Sequence, residues 1–323
     1  MRESDLPMKL IIQIPCLNEE ESLPKTLAAL PRTIEGVDII ETLIINDGST
    51  DRTVEVAKQC GVDHIISFTK RKGLARAFGA GLDACLKRNA DIIVNTDADG
   101  QYKGADIPRL IKPILDGQAD IVVGNRDIEN VQQFSWLKKR LQRIGSRMVR
   151  HLSGSTVMDA TTGFRAYNKE AALKLNIISN YTYTLESIIQ AENKELAIAN
   201  ITVSTNPVKR KSRLFKSIPE YLKRSAVTMI RIYSMFNPFR MFTTIGLGIA
   251  AVGILIGCRF VFYYLMGSGS GKIQSLILAA ALLIIGFQIL VVGLLADLIS
   301  ANRRLIEDTL LRVKKMELKI SDD

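Results

Sequence analysis

Short apolar runs alternate with stretches of helical periodicity through the first third of the chain. Residues 10–14, 42–46, 64–68, 92–96 and 120–123 are rich in β-branched side chains and bounded by polar turns, which predicts strands. Residues 22–29, 51–59, 74–87 and 106–115 repeat apolar side chains at helical spacing. Ser49-Thr50-Asp51 stands ahead of the second of these as an N-cap cluster. Such alternation predicts an α/β domain, a Rossmann-like, mainly parallel sheet flanked by helices.

The pattern changes in the C-terminal third. Residues 239–266 and 276–299 are almost wholly apolar, and each exceeds the ~20 residues needed to cross a bilayer. Gly-Ser-Gly-Ser-Gly-Lys272 separates them, so they read as a transmembrane hairpin. Residues 136–152 and 219–236 each carry one apolar and one basic helical face, as helices lying on a membrane surface do. The expected domains are 1–215, a juxtamembrane segment at 216–238, two spans within 239–300 and a helix at 301–323. The last is able to pair subunits or line the membrane, so a homo-oligomer stays open. The polar start, Met1-Arg-Glu-Ser-Asp, is unlike a signal peptide.

Charge sharpens this picture. The net charge is +10, and Lys209, Arg210, Lys211, Arg213, Lys216, Lys223, Arg224, Arg231 and Arg240 crowd before the first span. More follow the second span, while the intervening loop holds only Lys272. The positive-inside rule then places both termini in the cytoplasm. A belt beside a span attracts anionic lipid headgroups and argues against nucleic acid as the partner. Cys16, Cys60, Cys85 and Cys258 have no paired spacing, and with only His64 and His151 present neither a zinc site nor histidine catalysis is expected.

Asp97-Ala98-Asp99-Gly100-Gln101 follows the apolar run at 91–96. In an extended segment, residues i and i+2 point the same way, so Asp97 and Asp99 converge. Hard oxygen ligands suit Mg²⁺ or Mn²⁺ bridging phosphate oxygens. Further polar groups follow other strands, where open α/β sheets bind ligands: Pro15-Cys-Leu17-Asn-Glu19, Asn46-Asp47-Gly-Ser, and Gly124-Asn-Arg126. Lys70-Arg-Lys-Gly73 supplies cations and a flexible backbone before a helix N-terminus. Asp51 reads as a helix cap, and Glu20 and Glu21 as plain surface.

Together with Gly163-Phe-Arg165-Ala-Tyr167, these segments resemble family 2 glycosyltransferases, which carry the GT-A fold and use UDP- or GDP-sugars. With the terminal hairpin the resemblance narrows to polyprenyl-phosphate glycosyltransferases of the dolichyl-phosphate mannose synthase kind. It implies Pro15, Leu17, Glu19, Asp47 and Gly73 for the nucleotide, and Asp97, Ala98, Asp99 and Gln101 for the metal and its diphosphate. It implies Arg126, Arg165 and either Arg210 or Arg213 for the acceptor phosphate. Glu186 falls where the family places an active-site carboxylate, with orienting, basic and structural roles all open. A lipid phosphate is already anionic, with a second pKa near ~6, so attack with inversion requires no dedicated base. Two other readings are a processive polysaccharide synthase, whose Gln-x-x-Arg-Trp motif is missing here, and a non-catalytic nucleotide-sugar sensor, against which the intact carboxylates stand.

Overall fold

The computed structural model describes residues 7–126, 157–178, 182–206, 227, 230–231, 233–267 and 272–321. One compact unit comprises Met1–Met229 with Leu311–Asp323, and the other Ile230–Leu310.

The first unit contains β1 (Lys9–Cys16), α1 (Leu23–Ala28), β2 (Ile39–Asn46), α2 (Thr53–Gln59), β3 (His64–Ser67), α3 (Leu74–Leu86), β4 (Ile92–Asn95), α4 (Ile107–Leu115) and β5 (Ile121–Arg126). It continues with β6 (Arg165–Asn168), α5 (Lys169–Lys174), α6 (Thr184–Asn193) and β7 (Ile198–Val203). One seven-stranded sheet runs in the order β3-β2-β1-β4-β6-β5-β7. All neighbouring pairs are parallel except those of β6, which is antiparallel to both β4 and β5. The mixed, mainly parallel sheet expected from the sequence is therefore the one formed.

Period-two alternation divides the core into two layers. Ile11, Leu43, Ile45, Ile93 and Val123 pack on one face with Phe78, Leu82 and Tyr183. Leu10, Ile12, Ile14, Ile44 and Val122 pack on the other with Leu23, Leu110 and Phe164. Because the parallel strands end at one edge and the inverted β6 begins there, the loops after β1, β2, β4 and β5 and the turn before β6 share that edge. The register pairs Asn95 and Val123 with Arg165.

In the second unit lies α7 (Pro238–Leu265), and α8 (Ile273–Ser321) runs from it into the final residues of the first. Both helices are long and apolar enough to cross a membrane, and most of their apolar side chains are exposed. They pack against each other through small residues. A Cβ on Gly246 would lie 2.9 Å from the Gly286 carbonyl, and one on Gly253 3.1 Å from that of Ala279. Close backbone approach of this kind is what joins helices where lipid gives no hydrophobic drive between them. At 49 residues, α8 extends without a break through the C-terminal segment expected to be a separate helix. The amphipathic helix expected at 136–152 and most of that at 219–236 fall outside the described residues.

Candidate active site

The loops after β1 and β2 are bonded into one wall. Asn18 sits at φ 57°, a left-handed conformation that asparagine tolerates. Its N–H donates to Ser49 Oγ at 3.0 Å, and its Oδ1 accepts from Thr50 N at 2.8 Å. Glu19 N donates to Thr53 Oγ1, while its carboxylate accepts from Ser22 Oγ at 2.6 Å. Glu20 is not plain surface: its N–H reaches Asp51 Oδ2 and its own carboxylate accepts from Arg52 N at 3.0 Å. Asp51 accepts from Thr53 N, so it secures the start of α2 in the capping role expected of it, although Arg52 is the helix boundary residue. Pro15 is half-buried near the end of β1, between buried Ile14 and Cys16, and Leu17 is the first residue beyond the strand.

Asp47, 4% exposed, anchors the basic loop. It accepts from Lys72 N at 2.6 Å and from Gly73 N at 2.9 Å. Gly48 lies beneath that loop at φ 73°, and a Cβ there would be 2.7 Å from Arg71 N. Both the dihedral and the approach therefore demand glycine. Gly73, at φ 96°, turns the chain into α3.

β4 ends at Asn95, so the convergence of Asp97 and Asp99 comes from a turn, not from the strand pleat invoked above. Thr26 Oγ1 donates to the Ala98 carbonyl at 2.9 Å, and Gln101 N to Asp99 Oδ1 at 3.0 Å. Asn206 holds the far side through the Gly100 and Gln101 carbonyls. Burial and then the charge of Asp99 push the Asp97 carboxyl well above the usual range, against the pull of Arg126. A buried carboxylate whose proton affinity is raised by a second one beside it is matched by a divalent cation. Among the described residues no cluster of three or more His, Cys, Asp or Glu is grouped for a metal. The donor set thus fits a cation that keeps waters and takes phosphate oxygens, as Mg²⁺ and Mn²⁺ do.

Arg126, at the end of β5, donates from Nε to Asp159 Oδ2 at 2.7 Å and from Nη2 to Asp159 Oδ1 at 3.1 Å. Burial opposes its charge, but Tyr102, Asp159 and Asp97 keep it protonated. Arg165 departs from the ligand-facing role implied for it. It is fully buried, and its guanidinium donates to the carbonyls of Thr162, Ala160 and Thr184 and to Ser187 Oγ. Those bonds brace the turn before β6 against α6. Glu186, 3% exposed, accepts from Ile178 N and Gln190 Nε2, which ties α6 to the preceding loop. Arg210 and Arg213 fall outside the described residues.

Sequence reasoning missed Asp159 and a second buried network. Asn95 donates to the Gly163 carbonyl at 2.7 Å and to Tyr183 Oη at 2.8 Å, while accepting from Gln13. A Cβ on Gly163 would be 2.9 Å from both Asp97 Oδ1 and Tyr183 Oη. The only sequence signal for Asp159 is its place just ahead of Thr162-Gly163-Phe164-Arg165.

Carboxylates, a fixed arginine and interlocked loops gather at the carboxyl edge of an open sheet, the edge at which α/β enzymes bind ligands. Residues 11–175 match the family described as Glycosyl transferase family 2, and the chain belongs to it. It is therefore a glycosyltransferase. The undecaprenyl-phosphate mannosyltransferase of Micrococcus luteus is 32% identical over 184 residues, 54% of this chain and 74% of that protein. Glycosyltransferase AglJ of Haloferax volcanii is 23% identical over 318 residues, 96% of this chain and 99% of its own. Glucosyl-3-phosphoglycerate synthase from Mycobacterium tuberculosis, solved with Mn²⁺, UDP-glucose and phosphoglyceric acid, matches with a TM-score of 0.56. At 19% identity over 70% of this chain and 79% of that one, this likeness establishes the shared GT-A fold.

Proposed function

We propose that this enzyme transfers a hexose from a nucleoside-diphosphate sugar to a polyprenyl phosphate at the cytoplasmic face of a membrane, inverting the anomeric centre. The observation that carries the reading is a mutually repelling carboxylate pair on the same sheet edge as a permanently charged arginine. One suits the metal-bound diphosphate of a donor, the other an anionic acceptor.

Pro15, Leu17, Glu19, Asp47 and Gly73 line the nucleotide side of this edge. Asp97 and Asp99, with Gln101 bracing their turn, hold Mg²⁺ or Mn²⁺, which when bound neutralises charge on the departing diphosphate. Arg126 binds the acceptor phosphate and offsets its repulsion from the donor, with Arg210 or Arg213 assisting. An acceptor that is already ionised makes a general base unnecessary, and Glu186, engaged by Ile178 and Gln190, serves to orient α6. A lipid acceptor is supported by the two apolar helices and by the basic belt beside them. Of the relatives, the Micrococcus luteus protein is named for an undecaprenyl-phosphate acceptor.

The test is incorporation of label from a panel of UDP- and GDP-sugars into organic-extractable lipid by membranes carrying wild-type or Asp99→Ala enzyme. A glycolipid that requires divalent metal and is lost in the variant is the expected result. Donor hydrolysis without a lipid product would sink the acceptor assignment.

A further inference from the structure

Asp159 is 1% exposed and belongs to none of the segments assigned to donor, metal or acceptor above. Its carboxylate grips one edge of Arg126, Oδ2 taking Nε at 2.7 Å and Oδ1 taking Nη2 at 3.1 Å. Thr161 Oγ1 closes the arrangement: it accepts from Arg126 Nη2 at 2.8 Å and donates to Asp159 Oδ1 at 2.9 Å. The carboxylate is itself fixed, because Thr161 N donates to it and Asp159 N donates to Asn125 Oδ1 at 3.1 Å.

We propose that Asp159, seconded by Thr161, is a positioning residue that sets the plane of the Arg126 guanidinium and turns its Nη1 edge to the acceptor phosphate. The proposal rests on the acceptor reading given above. A bidentate pair leaves a planar guanidinium no freedom to rotate. Nε and Nη2 are occupied, and Nη1 makes no hydrogen bond to any described residue. Holding Nε and Nη2 on Asp159 and Thr161 leaves Nη1 to the phosphate.

The test is a kinetic comparison of wild-type, Asp159→Asn, Arg126→Lys and the double variant with a short polyprenyl phosphate in detergent, varying acceptor and donor separately. Asp159→Asn keeps the shape and removes the charge. Its acceptor KM should rise about 10- to 100-fold, the usual cost of losing an orienting partner. Its donor KM should stay within about twofold, and the double variant should lose little more than Arg126→Lys alone, as coupled residues do. An unchanged acceptor KM overturns the proposal, as does a parallel rise in both KM values, which a merely structural role would give. Should Asp159→Asn fail to fold, Thr161→Val is expected to move the acceptor KM in the same direction by a smaller factor, and no movement overturns the proposal. Absence of any lipid product from the wild-type enzyme instead overturns the acceptor reading, and this proposal with it.

Discussion

Alanine at position 163 should disable transfer while leaving the fold standing. A Cβ built there falls 2.9 Å from Asp97 Oδ1, 3.2 Å from Asp97 Oδ2 and 2.9 Å from Tyr183 Oη. Non-bonded contacts to carbon are comfortable at roughly 3.5–4.0 Å, so the methyl is roughly 0.6–1.1 Å too close on two sides. Tyr183 yields little. Its ring stacks on Phe78 with centroids 3.8 Å apart, and Asn95 Nδ2 holds its hydroxyl at 2.8 Å. Asp97 is the group that moves. Overpacking of this kind costs about 1–3 kcal/mol. At 2–4 °C per kcal/mol for a domain of this size, that lowers the melting temperature by roughly 2–12 °C. With Asp97 holding the metal as proposed, displacing it by up to about 1 Å costs on the order of 100-fold in rate. Initial rates of sugar transfer across a Mn²⁺ series, beside thermal melts, separate the two effects. The variant should lose about 10- to 100-fold in kcat/KM and require more metal. Adding Tyr183→Phe frees one side only, so it should restore part of the melting temperature and little of the rate. A Gly163→Ala enzyme with wild-type rates at every Mn²⁺ concentration would refute the reasoning.

Three further outcomes follow from other parts of the chain. Arg165→Gln orphans carbonyls at Ala160, Thr162 and Thr184, and hydrogen bonds to a charged donor contribute about 1.5–3 kcal/mol each. Thermal melts should therefore show a loss of roughly 10 °C or more, whereas a stable variant defective only in acceptor binding would return Arg165 to a ligand-facing role. Burial works against the charge of Glu41, but bonds from Lys9 at 2.9 Å and His64 at 2.8 Å prevail and lower its pKa. The resulting stability is present above the unfolded value near ~4.3 and disappears as pH falls through the folded one. Glu41→Gln should flatten the acid limb of melting temperature against pH, and an unaltered limb would remove Glu41 from the account. With the hairpin oriented by its basic flanks, Lys272→Cys should react with an impermeant maleimide on intact cells while exposed Cys60 does not. The opposite labelling pattern would invert the topology.

The alternating first third was legible because each strand there is an apolar run closed by a turn, and β1 to β5 fall within three residues of their expected bounds. β6 and β7 escaped for different reasons. Arg-Ala-Tyr-Asn is too short and polar to show a period, whereas Ile-Ala-Asn-Ile-Thr-Val alternates only from Ala199 to Val203, after two adjacent apolar residues, and is not read as a strand. The segment after the second apolar span looked separate because its charge rises sharply. Yet the chain has no glycine or proline from Leu294 to Ser321, so nothing interrupts the helix.

At the site, the candidates that the sequence singled out stand at a strand's end or in the turn after it: Asp47, Asp97, Asp99 and Arg126. What escaped depends on the inversion of β6. A strand entering the sheet antiparallel begins at the edge where its neighbours end, so the turn feeding it must cross the site. That turn carries Asp159 to Arg126, 33 residues earlier in the chain, and sets Gly163 against Asp97. The same geometry explains Arg165. As the first residue of a strand between β4 and β5 it lies inside the layer, and its charge is spent on the carbonyls of the turn it follows. Tyr102 ties that turn to the carboxylate loop through Thr162 at 3.1 Å, so turn and loop form one cross-linked wall. The two residues of this motif have unlike tasks: Gly163 leaves space beside the Asp97 carboxylate, and Arg165 keeps the wall rigid enough for that space to persist.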